Sequence, residues 1–265
     1  MLKKIILFLN YSSIDVCIGV LSLMLPLANL LAENPNVSWY IVVPLSVLLV
    51  YFVDHFLDLK LNPNKIISHR HQFIQNNLLS ISIVSILIII INTALSILFF
   101  NIKILICACI LTTVIALYYF LISNYKKLFF KEILAAFIYS SGIILYPLCI
   151  EFEFNILHYG LLIFCIALIN LIQNSLNEFN MDKKLQSKSL AIITGKKTST
   201  SILLIIYGLL MFQLYFYDLN LQLKISFSIL MLLHAFFYFV FLNKYYRVLT
   251  DLCFWIPGII FLFFN

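Results

Sequence analysis

The residues of this chain best suited to chemistry are carboxylates at helical spacing. In "VYFVDHFLDLKLN", Asp54 and Asp58 stand four residues apart, so on a helix both point the same way. In "NSLNEFNMDKK", Asn174, Glu178 and Asp182 repeat that spacing over two turns. Oxygen donors placed like this suit Mg²⁺ or Mn²⁺, since Mg²⁺ takes one or two carboxylates and fills its shell with water and substrate phosphate oxygens. Two such ledges facing each other would hold a diphosphate through bridging cations. Basic residues follow both, Lys65 and Arg70 after the first and Lys183, Lys184 and Lys188 after the second. The plainer reading is that acids at the mouth of a membrane helix mark a solvated boundary. Spacing alone leaves both readings open; two ledges at the mouths of different helices on one membrane side are harder to assign to boundaries.

The elements that must position these ledges are membrane helices. Of 265 residues, 63% are hydrophobic and 11% charged, against roughly a quarter charged in soluble domains. The apolar residues come in runs close to the ~20 that cross a bilayer. "SIVSILIIIINTALSILFF" has no period of two, which excludes a membrane barrel. An all-α bundle of eight or nine spans is expected, at about 13–32, 38–57, 78–100, 103–123, 132–150, 156–175, 199–217, 222–243 and 246–264. Residues 1–265 then form one transmembrane domain, with 1–11 in the interface and polar loops at 58–77, 124–131 and 176–198.

Of the 17 Lys and Arg residues, only Lys103 and Lys224 fall on the side opposite those loops. By the positive-inside rule, the N-terminus and the three polar loops are expected in the cytoplasm, as in a multi-pass protein of a bacterial inner membrane. The same distribution accounts for the net charge of +6 without a nucleic-acid partner. Ser12 and Asp15 have the spacing of a capping box, so the first span is expected to begin there, with Asp15 at its hydrated end. The six Cys lie in apolar runs without metal-site or disulfide spacing and read as small hydrophobes. Arg247 and Asp251, four residues apart, are expected to compensate each other near the interface at the start of span nine.

"DHFLDLKLNPNK", "LYYFLISNYKKLFFKE" and "NEFNMDKKLQSKSLAIITGKKTS" resemble, in that order, the two aspartate-rich motifs and intervening Tyr-and-Lys loop of the UbiA-type intramembrane prenyltransferase superfamily. The likeness runs from about residue 40 to about 200. It implies a helical bundle with a polar cap over a central cavity, in which a polyprenyl diphosphate is bound through Mg²⁺ and its prenyl group passes to a lipophilic, often aromatic, acceptor. Carried over by position, it implies Asp54, Asp58, Glu178 and Asp182 as metal-holding and catalytic acids. Asn174 stands where the family usually has Asp. Arg70, Lys126, Lys127 and Lys188 are implied to neutralise the diphosphate. Tyr119 is among the aromatic residues that would face an allylic cation, with Tyr51, Tyr118, Tyr139 and Tyr146. Val50 and Tyr51 replace the family's leading Asn-Asp, which marks a divergent branch and keeps open a catalytically inert, lipid-binding relative. A terpene cyclase of the same architecture is the nearest other enzyme. A transporter is disfavoured because no paired Gly- or Pro-interrupted spans occur in the two halves.

The charge bias makes a direct prediction. Cysteine labelling or reporter fusions should place positions near 65, 127 and 190 in the cytoplasm and positions near 35, 153 and 219 outside. Labelling of the 176–198 segment from outside would invert the arrangement.

Overall fold

A computed structural model describes residues 2–32, 34–61, 69–124, 130–185, 189–217, 219–240 and 246–264. Every regular element among them is helical: α1 (Leu2–Tyr11), α2 (Ile14–Ala28), α3 (Val37–Leu61), α4 (His69–Asn76), α5 (Leu78–Phe99), α6 (Ile102–Asn124), α7 (Lys131–Ile150), α8 (Phe154–Asn177), α9 (Phe179–Leu185), α10 (Leu190–Thr194), α11 (Lys196–Phe216), α12 (Leu221–Val240), α13 (Tyr246–Cys253) and α14 (Ile256–Phe264). Eight stretches are long and apolar enough to cross a membrane, with α13 and α14 making up one of them; α1 and α2, bent by 83°, add a ninth if taken together. The chain is thus a polytopic helical bundle.

The membrane helices form a ring in chain order. Each packs on the next, and α14 returns to α2 to close it. The exception is α5 and α6, which are joined through Phe100 and Asn101 but do not pack along their lengths. Within the protein, 61% of the membrane-crossing stretch of α8 is buried, against 11% in α5 and in α6. Helix α8 is therefore the most enclosed of the membrane-length helices, and α5 and α6 the least. On those two helices Ser82, Ser85, Thr112 and Thr113 donate their hydroxyls to carbonyls one turn back, which satisfies them without water.

Ring closure is made by polar side chains inside the apolar packing. Gln173 of α8 donates to the Tyr207 hydroxyl and the His234 carbonyl and accepts from Tyr246, tying together α8, α11, α12 and α13. Ser22 of α2 donates to the Trp255 carbonyl at 2.7 Å and accepts from the Gly258 N–H at 2.6 Å. An otherwise orphaned donor at the start of α14 is thereby satisfied.

Three expectations need correction. Ser12 does not cap α2: its hydroxyl donates back to Phe8 and Leu9 carbonyls at the end of α1. The chain instead turns through Ser13, held at φ 59°. Asp15 is 1% exposed and not at a hydrated end, because Asn10 and the Val16 N–H bond its carboxylate. The polar segments 58–77 and 176–198 are not open loops over their described parts, since α3 runs past Asp58 to Leu61, α4 follows, and α9 and α10 fill much of the second. Arg247 and Asp251 do act on each other as expected, but not alone, since Glu178 also acts on Arg247 and Asn10 and Asn170 bond Asp251.

The α2–α14 closure yields a stability prediction. A Cβ at Gly258 would lie 2.8 Å from the Ser22 Cα, a backbone atom that cannot swing away. Gly258→Ala should cost about 1 to 3 kcal/mol by overpacking, read as a lowered melting temperature in detergent. Gly208→Ala on α11, where nothing lies within 4 Å, should be neutral or slightly stabilising.

Candidate functional site: an intramembrane cavity with a charged mouth

Helices α3, α6, α7, α8 and α13 enclose a cavity of about 1210 Å³, beyond the roughly 300 to 1,000 Å³ of sites for small molecules. Trp39 and Asp54, both in its wall on α3, are fifteen residues apart, which at helical rise is roughly 22 Å of depth. The far end is apolar and aromatic: Trp39 stacks on Tyr146 at 5.3 Å and Phe100 lies against the same ring at 5.4 Å. Along the sides stand Tyr51, Tyr118, Tyr119 and Tyr139. Tyr119 donates its hydroxyl to the Val50 carbonyl at 2.6 Å, bracing α6 against α3. This explains its placement without a substrate.

The mouth is built from the second acidic ledge. Asn170, Asn174, Glu178 and Asp182 follow one another at four-residue steps, and all four line the cavity. The helical register carries through the junction of α8 and α9, with the Glu178 N–H on the Asn174 carbonyl at 2.9 Å and the Asp182 N–H on the Glu178 carbonyl at 2.8 Å. The four side chains thus form one stripe, as their spacing requires. From the first ledge Asp54 faces the same cavity. Asp58 lies one turn further along α3, but its side chain is outside the described part of the structure.

Of the other residues marked by the sequence, Lys126, Lys127 and Lys188 lie outside the described residues, as does the Arg70 side chain. Arg70 belongs to α4, which packs on α1, α3 and α5. None of the described α4 residues lines the cavity.

Three charged positions at the mouth are absent from the sequence-based set. Arg247 of α13 reaches Glu178 at 3.6 Å, with both side chains partly open to the cavity. Asp251, Tyr51 and Asp54 also surround its charge. Glu132, in the first turn of α7, is 6% exposed. Its Oε1 accepts the Leu190 N–H at 2.6 Å, while Oε2 has no hydrogen-bond partner. Together with Ser175, which accepts the Ala191 N–H at 3.0 Å, Glu132 pins α10 to the bundle. The segment "SLAIITG" is thereby held in place, with Leu190 and Ala191 buried. It ends at Gly195, whose φ of 86° admits glycine before α11 begins. Asp251 is the third, and it lies one turn further in than Arg247.

Signals for all three were present. Arg247 and Asp251 are ionisable residues in an otherwise apolar span, which by itself marks a functional site. Glu132 directly follows the basic run that the resemblance singled out.

Among the described residues, no three of His, Cys, Asp and Glu converge into a closed metal cage. Among the described residues, the wall carries five carboxylates (Asp54, Glu132, Glu178, Asp182 and Asp251) and three basic side chains (Lys131, Lys183 and Arg247). Three buried oxygens of its described residues, Asn174 Oδ1, Glu132 Oε2 and Ser189 Oγ, are without hydrogen-bond partners. Clustered carboxylates and an all-oxygen donor set fit a hard divalent cation held by few protein ligands and completed by substrate oxygens.

If Arg247 and Glu178 depend on each other, a double-mutant cycle will detect it. Arg247→Gln and Glu178→Gln should each lower thermal stability, and the double variant should lose at least ~0.5 kcal/mol less than their sum. Additivity would mean that the two charges are solvated independently. No family model matches the chain, and no curated protein or solved structure matches it either.

Proposed function

We propose that the protein is a UbiA-type membrane prenyltransferase, divergent in its first motif, that transfers the prenyl group of a polyprenyl diphosphate to a lipophilic acceptor within the bilayer. The observation that carries this reading is the single cavity with opposite ends: a mouth of carboxylates and basic side chains, and behind it roughly 22 Å of apolar and aromatic wall. An amphiphile with a highly charged head and a long hydrocarbon tail has the complementary shape and polarity.

In this reading Asp54, Glu178 and Asp182, with Asp58 one turn beyond Asp54, hold Mg²⁺ against the diphosphate. Mg²⁺ supplies the positive charge that makes diphosphate a competent leaving group. Arg247, Lys131 and Lys183 add fixed positive charge where negative charge develops as the C–O bond breaks. The prenyl chain runs between α3, α6, α7 and α8 toward Trp39 and Tyr146. An allylic cation at its head is screened from water by the apolar wall, and tyrosine faces stabilise it by about 1 to 2 kcal/mol each when desolvated. Val50 and Tyr51 make no polar ledge of their own one turn inward from Asp54, so the second motif and Arg247 carry more of the head group than in the family pattern. The mouth belongs on the cytoplasmic side with the Lys-rich segments. A cyclase would use the same mouth and tail channel, and product mass separates the two.

The test uses protein in lipid nanodiscs with Mg²⁺ and farnesyl or geranylgeranyl diphosphate, read by mass spectrometry after addition of membrane extract. Prenylated or cyclised product should form and vanish with excess chelator. Asp182→Asn and Arg247→Gln should lower turnover a hundredfold or more, the scale of losing about 3 kcal/mol of leaving-group stabilisation. Glu153→Gln, in the turn at the opposite end of α8, should be silent. Mg²⁺-independent binding, or full activity in Asp182→Asn, would overturn the assignment and favour lipid binding or transport.

A further inference from the structure

The prenyl-transfer reading leaves the second substrate unspecified, and with the metal placed on Asp54, Asp58, Glu178 and Asp182 it gives one group of cavity residues no task. Asp251 of α13 is 7% exposed and stands in the cavity wall with Asn170 and Asn174. Asn170 Nδ2 donates to Asp251 Oδ1 at 3.3 Å, and Asn174 Nδ2 donates to Asn170 Oδ1 at 3.3 Å. On the far side Asn10 Nδ2 bridges the Asp251 and Asp15 carboxylates at 3.2 and 2.5 Å. The chain of bonds ends at Asn174, 9% exposed, whose Oδ1 has no partner.

The position of this group matters as much as its chemistry. Glu178 and Arg247 meet at the mouth. Asn174 is one turn from Glu178 along α8 and Asp251 one turn from Arg247 along the antiparallel α13, so both step inward together by about 6 Å. That is where a second reactant must lie to approach the first carbon of a prenyl chain whose diphosphate sits at the mouth.

We infer that Asp251, Asn170 and Asn174 form a head-group subsite for an acceptor that offers a neutral hydroxyl, a phenol or alcohol, and that it rejects acceptors bearing a carboxylate. The inference rests on the proposed transfer reaction for its biological sense but not for its measurement. The subsite presents acceptor atoms: the Asp251 carboxylate, with capacity for several donors at once, and the unpartnered Asn174 carbonyl. A hydroxyl donates its one hydrogen to either oxygen without bringing charge into the wall. A carboxylate ligand would add a third negative group beside Asp15 and Asp251, and the cation Arg247 is already shared among Glu178, Asp251 and Asp54.

The experiment uses 2-naphthol and 2-naphthoate, alike in ring and different in head group, titrated against the full chain in nanodiscs without prenyl diphosphate and read by thermal stabilisation. 2-Naphthol should bind at least tenfold more tightly than 2-naphthoate. Asp251→Asn exchanges a charged hydrogen-bond acceptor for a neutral one and should weaken 2-naphthol roughly tenfold, while 2-naphthoate gains affinity. A gain of that kind cannot come from misfolding. Asn174→Leu, as a second variant, should weaken 2-naphthol without admitting 2-naphthoate. Equal binding of the two probes, or a ratio unchanged in both variants, would overturn the inference. Mg²⁺-dependent binding of geranylgeranyl diphosphate, measured separately, reports on the mouth alone, so failure there would sink the transfer reading and leave the head-group preference standing or falling on its own data.

Discussion

The ion pair between Glu178 at the end of α8 and Arg247 at the start of α13 sets the terms for the rest of the bundle. An ionised side chain inside an apolar wall costs about 3 kcal/mol or more unless it finds a partner, and this chain places five carboxylates around one cavity. Arg247 stands where Glu178, Asp251 and Asp54 can all draw on it. To hold it there, α13 must lie against α8, and the buried Gln173 bridge to Tyr246 fixes that approach. Helix α14 can then return to α2 through Ser22, and the ring closes. The same charges that suit the mouth for a metal-bound anion are thus part of what decides where the last helix goes.

Within this frame the roles of polar groups divide by what each one bonds. The Gln173, Tyr207 and Tyr246 group is satisfied within the protein and is architectural. Tyr119, committed to the Val50 carbonyl, is closer to this class than to a substrate-facing aromatic. Asn174 and Glu132 differ, because each is buried in the cavity wall with an oxygen that has no partner. Leaving such an oxygen unbonded costs about 1 to 3 kcal/mol. At the cavity a ligand can recover that cost.

Much of this was legible from residue spacing. The apolar runs located the membrane helices to within a few residues, and the four-residue steps from Asn174 to Asp182 put these side chains on one helical stripe, which lines the cavity. That inference is local, since it needs only helical geometry over eight residues. What spacing could not supply was the identity of partners across the ring. Arg247 and Asp251 look like an isolated pair at a separation of four, and only the approach of α8 and of Asn10 shows that each has further partners. Asp15 reads as a cap because an isolated acid prefers water; a carboxamide five residues earlier, folded back across an 83° bend, removes the reason. The 176–198 segment reads as a polar loop because its anchors, Glu132 and Ser175, lie elsewhere in the chain.

The placement of the polar groups also bears on transport as a rival reading. Alternating access needs a path that can open on both membrane faces around a midplane site, with broken helices lining it. Here the charged wall is confined to one end of the cavity, and the other end is closed by Trp39, Tyr146 and Phe100 packed on one another. Helix α3 runs unbroken from beside that aromatic floor to the mouth, as do α6, α7 and α8 along the sides. The seam not closed by helix packing lies between α5 and α6, the two least buried of the membrane-length helices. A charged molecule that reaches the mouth from water has no polar route past the aromatic floor, whereas an apolar molecule dissolved in the bilayer meets the cavity from the side. Two reactants of opposite polarity, arriving from two phases, are what such a shape accommodates, and that supports group transfer at the membrane surface over passage through it.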